Sequence, residues 1–251
     1  MTARTIAVGD IHGEYGRLMA LMAKLPTLTS EDKLLFVGDF VDRGPGSADV
    51  IRYLRDDLPL ETDARIVCLR GNHEDCWLDA VEQRDSRFTM IPANGCLATL
   101  RSYRNGKIAR LDEYPGSSSE QRDLTNGMFF PTKVVDWLKA LPHWHEDEHA
   151  IYVHAGLPTM EGKWFHPSKY GNQRDLLWCR DKQFYLGYRG KRVVFGHTPT
   201  YLLPSRLRDF RPGEKKDVYV DGDLIGIDTG CGRSGALSAV ELPSLKVYSS
   251  G

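Results

Sequence analysis

The 251-residue sequence lacks long apolar runs, paired cysteine motifs and a strong charge of either sign. No apolar run is long enough to span a bilayer, and the amino terminus has no signal-type apolar region. The five cysteines are odd in number and include no C-x-x-C pair, which disfavours a disulfide framework. We therefore expect a protein of the reducing cytoplasm that has no membrane partner.

The formal net charge of -1 excludes strong long-range attraction to nucleic acid, so we expect no nucleic-acid partner. Two basic clusters, Arg189–Arg192 and Arg206–Arg211, are interpreted as solvated surface, because acidic residues offset them overall. A chain of this length can bury a sizeable core. Since it contains no internal repeat and no low-complexity tract, we predict a single domain over residues 1–251.

Three short apolar segments in the first third of the chain are predicted to be buried strands of a parallel sheet. Each is followed by apolar residues at helical spacing, such as Leu18, Leu21 and Leu25 after the first. Repeating units of about thirty residues suit the right-handed crossovers of such a sheet. The predicted strands are residues 5–9, 33–37 and 65–69, and the predicted helices are residues 14–25, residues 47–58 and a third ending near residue 84.

The rest of the chain ends in short predicted strands, in which apolar residues recur at every second position. Residues 85–132 come first, with turn signals around one short helix at 97–103, and are interpreted as an irregular insertion over the site. Parallel units followed by strands predict an α/β fold of two sheets, each covered outside by helices. After a helix at 133–141, the predicted strands cover residues 143–148, 150–154 and 191–195, then a closing antiparallel set at 218–220, 224–228, 237–241 and 245–249.

Charged residues follow the predicted strands at the point where each strand ends. Residues 34–44 are the clearest case, because an apolar run stops at Gly38 and three charged residues follow it: Asp39, Asp42 and Arg43. Such side chains are rarely buried unless they are paired or bound to metal. Ligand sites in open α/β sheets lie beyond the carboxyl ends of the strands, so we expect one shared site there.

Six residues at these strand ends have side chains that bind divalent metals. Carboxylate, imidazole and amide ligands together suit Mn²⁺, Fe or Zn²⁺ better than Ca²⁺. Six ligands exceed what one open catalytic ion needs, but they fit two ions that share a bridging carboxylate, for which we predict Asp39. The six are Asp10, His12, Asp39, Asn72, His154 and His197.

Two other motifs match unrelated kinds of site but lack the structural context that those sites need. His145 to His149 fits H-E-x-x-H, yet the segment is predicted as strand, whereas a zinc protease needs a helix there. Gly230 to Gly235 fits G-x-G-x-x-G, yet a strand-like run follows it where dinucleotide binding needs a helix. We expect neither a protease nor a dinucleotide site.

Five short motifs follow one another along the chain: Gly9-Asp-Ile-His-Gly13, Gly38-Asp-Phe-Val-Asp-Arg-Gly44, Gly71-Asn-His-Glu74, His154-Ala-Gly156 and Gly196-His197. In this order they resemble the motifs of the phosphoprotein phosphatase family of metallophosphoesterases, over residues 5 to about 241. The resemblance implies a calcineurin-like α/β fold, with a two-sheet sandwich flanked by helices (α/β/β/α). It also implies two divalent ions, with manganese expected first and iron or zinc as alternatives. The first ion would be held by Asp10, His12 and Asp39, and the second by Asp39, Asn72, His154 and His197.

The same resemblance implies a mechanism in which a hydroxide bridging the two ions attacks phosphorus. His73 would protonate the leaving oxygen, and Asp42 would orient His73 and keep it charged. The family has a second phosphate-binding arginine between its last two histidine motifs. The phosphate-binding candidates here are Arg43, Asn72 and Arg180, with Arg174 as the alternative to Arg180.

These features predict a metal-dependent phosphomonoesterase, and we expect a Ser/Thr protein phosphatase of the bacterial type. The first alternative is a symmetrical dinucleoside tetraphosphate hydrolase, which shares the metal motifs; a remote one is a non-catalytic phosphate-binding scaffold. The expected partner is therefore a phosphorylated protein, or a small phosphoester or nucleotide. The tyrosine-containing signature of the eukaryotic enzymes is replaced by Asp228-Thr-Gly-Cys231. We expect residues 85–132 and the loop at Cys231 to set substrate choice.

Overall fold

The computed structural model describes residues 3–204 and 217–251. The predicted basic cluster Arg206–Arg211 lies outside the described residues. Within these two ranges, no helix has both the length and the apolar character that crossing a membrane requires. All five cysteines lie in the described part of the chain, and all are free thiols.

The strands of the described residues form two five-stranded sheets. The first sheet has the order β10-β9-β1-β2-β3 and the second the order β4-β5-β6-β8-β7. The first contains β1 (Thr5–Val8), β2 (Lys33–Phe36), β3 (Arg65–Cys68), β9 (Ser238–Leu242) and β10 (Lys246–Ser249). The second contains β4 (Trp144–Glu146), β5 (Ile151–Val153), β6 (Val193–Phe195), β7 (Tyr219–Asp221) and β8 (Leu224–Gly226).

Helices connect these strands and cover the two sheets. The predicted helix at residues 47–58 continues to residue 61 and contains a π-helical segment, Tyr53–Asp57, between two α-helical ones. The α-helices are α1 (Tyr15–Met22), α2 (Ser47–Arg52), α3 (Leu58–Glu61), α4 (Asn72–Val81), α5 (Arg87–Met90), α6 (Cys96–Tyr103), α7 (Ser118–Asn126), α8 (Thr132–Ala140), α9 (Asp175–Trp178) and α10 (Lys182–Gly187).

Alternating side chains along the strands build three apolar layers. On β1, Ile6 and Val8 pack outward with helix residues such as Leu18, whereas Ala7 packs inward. Strand β5 alternates in the same way, and its Tyr152 joins the layer between the two sheets. Because successive side chains on a strand face opposite sides, each central strand serves two layers. This arrangement confirms the α/β/β/α fold.

Parallel pairing places the ends of six strands at one edge of the sandwich. Strands β1, β2 and β3 are parallel in the first sheet, and β5, β6 and β8 are parallel in the second. The predicted closing set is antiparallel within two pairs, β7 with β8 and β9 with β10, but it does not form one sheet. Strand β8 pairs with β6 in parallel, while β9 and β10 add to the first sheet. A short apolar run shows its period but does not show which partner it pairs with.

Residues 85–132 contain more helix than predicted, although residues 104–117 form no helix. The segment contains α5, α6 and α7, and the predicted short helix at 97–103 corresponds to α6. The turn signals around α7 are its caps: Ser117 accepts the Glu120 N–H, and Gly127 ends the helix with φ of 59°. Helix α7 buries only Leu124, so apolar spacing could not reveal it. The single-domain organisation stays a prediction.

Candidate active site

The structure brings the six predicted metal-ligating residues together at the carboxyl ends of five strands. Each of the six side chains is almost fully buried. They lie in the loops after β1, β2, β5 and β6, except that Asn72 begins α4 directly after β3. Burial of so many carboxylate, imidazole and amide groups is unusual unless they are paired or bound to metal.

One group of side chains converges on Asn72. Asn72 Oδ1 lies 2.9 Å from His154 Nε2 and 2.8 Å from His197 Nδ1. Asp39 Oδ1 lies 3.4 Å from the same His154 nitrogen. Ligand atoms of Asp39, His154 and His197 all lie within 4.8 Å of one another, so these residues could hold a metal ion. With Asn72 they make up the predicted ligand set of the second ion.

A second group lies on the other side of the Asp39 carboxylate. Asp39 Oδ2 is 3.5 Å from His12 Nε2 and 3.8 Å from His73 Nε2, and these three residues could also hold a metal ion. Asp10, the third predicted ligand here, instead accepts the His197 backbone N–H at 2.9 Å. Asp39 therefore belongs to both candidate groups, as predicted for a bridging ligand.

The tautomers of two histidines follow from backbone carbonyl groups beside them. His12 Nδ1 lies 3.1 Å from the Val41 oxygen, and His154 Nδ1 lies 2.9 Å from the Val37 oxygen. Since a carbonyl can only accept, we assign the proton of each ring to Nδ1. The lone pair of each Nε2 then faces Asp39, which is how ligating histidines are commonly oriented.

The electrostatics of the buried groups fit divalent cations. Burial raises the pKa of the Asp10 carboxyl well above its usual range, and nearby Asp228 and Asp39 add to the effect. Burial also lowers the pKa values of His12 and His197, which keeps both imidazoles neutral and able to donate a lone pair. Metal ligands must be neutral imidazole and ionised carboxylate, so bound cations would offset the cost of burying these carboxylates.

Backbone strain is concentrated in the loops of this site. Five non-glycine residues of the site have positive φ angles, between 49° and 73°. Such conformations cost about 1–3 kcal/mol each and persist where the surroundings over-determine them, typically at functional sites. The five are His12, Asp39, Asp42, Arg43 and His197.

Two glycines leave room for the carboxylates. A Cβ atom on Gly71 would lie 2.2 Å from Asp39 Oδ1, and one on Gly196 would lie 2.0 Å from Asp10 Oδ1. Both distances are far below van der Waals contact. Any larger residue at either position would displace a predicted metal ligand, which explains why glycine stands there.

The predicted acid pair and both predicted arginines also reach the site. His73 Nδ1 lies 2.6 Å from Asp42 Oδ2, and Arg43 Nη2 lies 3.3 Å from His73 Nε2. Arg180 Nε donates to His197 Nε2 at 3.1 Å. The alternative, Arg174, is instead engaged by the carboxylates of helix α4, with its Nε 2.6 Å from Asp75 Oδ2. The geometry therefore favours Arg180 as the second site arginine.

Two aromatic rings contact residues of the site. Phe88 of α5 packs edge-on against His73, with ring centroids 4.9 Å apart. Trp178 packs edge-on against both Phe88 and His197, each at 5.9 Å, and is 42% exposed. Since Trp178 and Arg180 both contact His197, a partly exposed aromatic ring lies close to a candidate phosphate-binding group.

The sequence profile of the calcineurin-like phosphoesterases matches residues 3–225 of this chain. The chain belongs to this family. It is therefore a metal-dependent phosphoester hydrolase, and the two candidate ligand groups give such metals a place in the structure.

Relatives of this phosphoesterase act on different phosphoesters. The symmetrical bis(5'-nucleosyl)-tetraphosphatase of Nitrosospira multiformis is 26% identical over 295 aligned positions, which cover 96% of this chain and 94% of the relative. Serine/threonine-protein phosphatase 1 of Salmonella typhimurium is 26% identical over 197 positions, covering 76% and 77%. A crystal structure provisionally named a diadenosine tetraphosphatase superposes with a TM-score of 0.59 at 23% identity, covering 99% and 93%, and supports the fold.

The two motifs that match unrelated kinds of site lack the helices that those sites need, as predicted. His145 lies in β4 and His149 in the turn after it, so the helix of an H-E-x-x-H zinc site is absent from these described residues. The loop Gly230–Gly235 leads into strand β9 and not into a helix. A Cβ atom on Gly232 would lie 2.5 Å from His12 Cβ, so this loop packs directly against the site.

Glu74 is a site residue to which the sequence analysis gave no role. It is fully buried at the start of α4, and its two carboxylate oxygens accept four backbone N–H groups of the site loops. The sequence signal for a role of Glu74 was its place in the Gly71–Glu74 motif. The four donors, at 2.8–3.3 Å, are the N–H groups of Asp39, Phe40, Val41 and Gly71.

We expect Glu74→Gln to lower the free energy of unfolding by about 3 kcal/mol. The new amide NH₂ group cannot accept, so two buried N–H donors lose their partner and meet a donor instead. Urea denaturation measures the change. Glu148→Gln is the matched control, because the Glu148 side chain is 64% exposed and its loss should leave stability unchanged. Equal stability of the two variants would show that Glu74 does not hold the loops.

Proposed function

We propose that the chain is a manganese-dependent hydrolase of small nucleotide phosphoesters, with a symmetrical dinucleoside tetraphosphate as its substrate. The observation that carries the reaction type is the position of Asp39, whose two carboxylate oxygens each face a separate group of metal-competent side chains. Two-metal sites of this kind suit displacement at phosphorus. The choice of a nucleotide substrate is supported by the Nitrosospira relative, because the two chains match along almost all of their lengths.

The proposed metal ligands share Asp39, and in the first set Asp10, as the family resemblance implies, replaces the His73 of the group His12, Asp39 and His73. One ion would be held by Asp10, His12 and Asp39, and the other by Asp39 with three further residues: Asn72, His154 and His197. Bound there, two divalent ions supply Lewis acidity and an activated water for attack on phosphorus. Manganese is proposed because the set mixes oxygen and nitrogen donors, and iron or zinc would accept the same ligands.

His73 is proposed as the general acid. Its Nδ1 proton is donated to Asp42, which leaves Nε2 facing the site, 3.3 Å from Arg43 Nη2. From there the ring can pass a proton to the oxygen that leaves phosphorus. The hydrogen bond to the Asp42 carboxylate fixes the orientation of the ring.

Arg43 and Arg180 are proposed to bind the phosphoryl oxygens, together with the Asn72 side chain. Arg43 Nε is buried and has no hydrogen-bond partner within the described protein atoms. Buried donors normally have a partner, so the unpaired N–H of a guanidinium that contacts His73 fits an anionic ligand. The planar guanidinium offers paired donors to phosphate oxygens.

The two aromatic rings support a nucleotide over a flexible peptide. The indole of Trp178 is partly exposed, it contacts the same His197 as Arg180 does, and it packs edge-on against Phe88. Bases stack on such faces with about 1–3 kcal/mol per base. The Ser/Thr protein phosphatase suggested by the motifs is the second candidate, and the Salmonella relative favours it.

A substrate panel with Mn²⁺ tests the proposed function. It contains diadenosine tetraphosphate, a phosphoserine peptide, a phosphotyrosine peptide and a small aryl phosphate. We expect the highest kcat/KM for the dinucleotide, with ADP as the product of symmetrical cleavage. Phosphate release from the phosphoserine peptide without ADP formation from the dinucleotide would instead establish the protein phosphatase.

We expect Trp178→Ala to raise KM for the dinucleotide by about tenfold or more, because one base loses its stacking surface. The rate with a small aryl phosphate should change little. Trp178→Phe is the matched control, since it keeps an aromatic face and should keep most of the affinity. Unchanged KM in Trp178→Ala would remove this residue from nucleotide recognition and weaken the choice of substrate.

A further inference from the structure

The carboxylate of Asp42 receives hydrogen bonds from four buried side chains. Oδ2 accepts from His73 Nδ1 at 2.6 Å and from Cys96 Sγ at 3.3 Å. Oδ1 accepts from Thr99 Oγ1 at 2.6 Å and from Trp77 Nε1 at 2.9 Å. An ionised carboxylate has about four lone-pair sites, so these donors fill them and leave Asp42 one orientation.

The Thr99 hydroxyl contacts Asp42 twice. It donates to Oδ1, and it accepts the Asp42 backbone N–H at 2.8 Å. Since its single proton goes to Asp42, the Ser47 hydroxyl, 3.0 Å away, donates to Thr99. Thr99 therefore holds both the side chain and the backbone of a residue whose φ of 73° is strained.

The residues that hold Asp42 come from two helices. His73 and Trp77 are four residues apart on α4, so they share one face of the helix and both reach the carboxylate. Cys96 and Thr99 are three residues apart on α6 and do the same from the other side. Helix α6 belongs to residues 85–132, so this segment contacts Asp42 of the acid pair.

We propose that Thr99 and Trp77 are positioning residues that hold Asp42 so that His73 donates its proton in the right direction. The inference rests on the proposed role of His73 as the general acid. With Oδ1 bound to Thr99 and Trp77, Oδ2 stays directed at His73 Nδ1 and the ring cannot turn its Nε2 away from the site. A free carboxylate would let the imidazole rotate, and proton transfer would slow without any change in metal binding.

The test compares Thr99→Val, Thr99→Ser and Trp77→Phe with the unaltered chain, all loaded with Mn²⁺. Valine matches threonine in shape but has no hydroxyl, whereas serine keeps the hydroxyl. Phenylalanine keeps an aromatic ring but loses the indole N–H. For each we would measure kcat and KM with para-nitrophenyl phosphate, a good leaving group, and phenyl phosphate, a poor one. Metal content and thermal unfolding are measured on the same samples.

We expect Thr99→Val to lower kcat by about 10- to 100-fold with phenyl phosphate and far less with para-nitrophenyl phosphate, because one hydrogen bond to a charged group is lost. Metal content and KM should stay close to the unaltered values, and Thr99→Ser should recover most of the rate. Trp77→Phe should show the same leaving-group dependence. If Thr99→Val fails to fold, Trp77→Phe alone tests whether a lost hydrogen bond to Asp42 slows turnover.

Equal losses with both substrates, or no loss in either variant, would overturn the inference. His73→Asn, run in parallel, separates this failure from failure of the proposed function. If His73→Asn is sensitive to the leaving group but neither positioning variant is, only the inference falls. If His73→Asn is insensitive, the acid assignment itself is wrong and the inference falls with it.

Discussion

Replacing Asp39 with asparagine is expected to remove both metal ions and to lower kcat/KM by about a thousandfold or more. Asp39 Oδ1 faces His154 Nε2 at 3.4 Å, and Oδ2 faces His12 Nε2 at 3.5 Å. An amide has one oxygen and no charge, so it cannot bridge two cations. Metal-ion stabilisation of a phosphoryl transition state is worth several kcal/mol, and about 1.4 kcal/mol corresponds to a factor of ten in rate.

The backbone should tolerate this substitution, because asparagine is among the residues that accept a positive φ such as the 54° of Asp39. Metal content after dialysis, measured by plasma mass spectrometry, and kcat/KM report the two effects separately. Asp49→Asn is the matched control: the Asp49 side chain is 54% exposed and pairs only weakly with Arg52 on the surface. Two retained ions and normal turnover in Asp39→Asn would exclude Asp39 as the bridge.

The convergence of the candidate ligand residues could be predicted from the sequence because each of them carries a local signal. Asp10 and His12 follow an apolar strand directly, and so does Asp39. Parallel β-α-β units place such positions at one edge of a sheet, whatever the details of the helices. His154 and His197 obey the same rule in the second sheet, where β5 and β6 are parallel. Each residue alone is a weak signal, but the parallel topology places all of them at one edge of the sheets and so predicts one site.

The direction of β8 and the presence of α7 could not be predicted in this way. Strand β8 is only three residues long, and it lies between an antiparallel neighbour, β7, and a parallel one, β6. Helix α7 is polar along most of its length and depends on caps and on contacts with α5 and α6. Its amino-terminal serine and carboxyl-terminal glycine also occur in ordinary turns. Tertiary contacts decide both features.

Thr99 shows why the residues that support a site are harder to find than its ligands. It lies 57 positions after Asp42, on a helix whose spacing only indicates a buried face. A buried threonine in such a helix is usually interpreted as packing. Only the fold shows that its hydroxyl meets the carboxylate of a site residue. Glu74 is similar, because its four backbone partners come from two separate loops.

Replacing His73 with asparagine is expected to lower kcat by about 100- to 10,000-fold, the usual contribution of a general acid. The loss should be greatest with phenyl phosphate, whose leaving oxygen needs a proton most, and smallest with para-nitrophenyl phosphate. Asparagine cannot donate a proton of comparable acidity, but its size lets the surrounding loops remain in place. Steady-state kinetics with the two esters measure the difference.

Metal content in the same variant decides between two roles for His73. Its Nε2 lies 3.8 Å from Asp39 Oδ2, close enough for His73 to join His12 and Asp39 around one ion. As the general acid, His73 can be replaced without losing either ion, whereas Asp10→Asn should lose the first ion and keep the second. If His73 is instead a metal ligand, His73→Asn should lose the first ion and Asp10→Asn should keep both. Because Nδ1 is committed to Asp42 at 2.6 Å and Arg43 approaches Nε2, we expect His73→Asn to retain two ions.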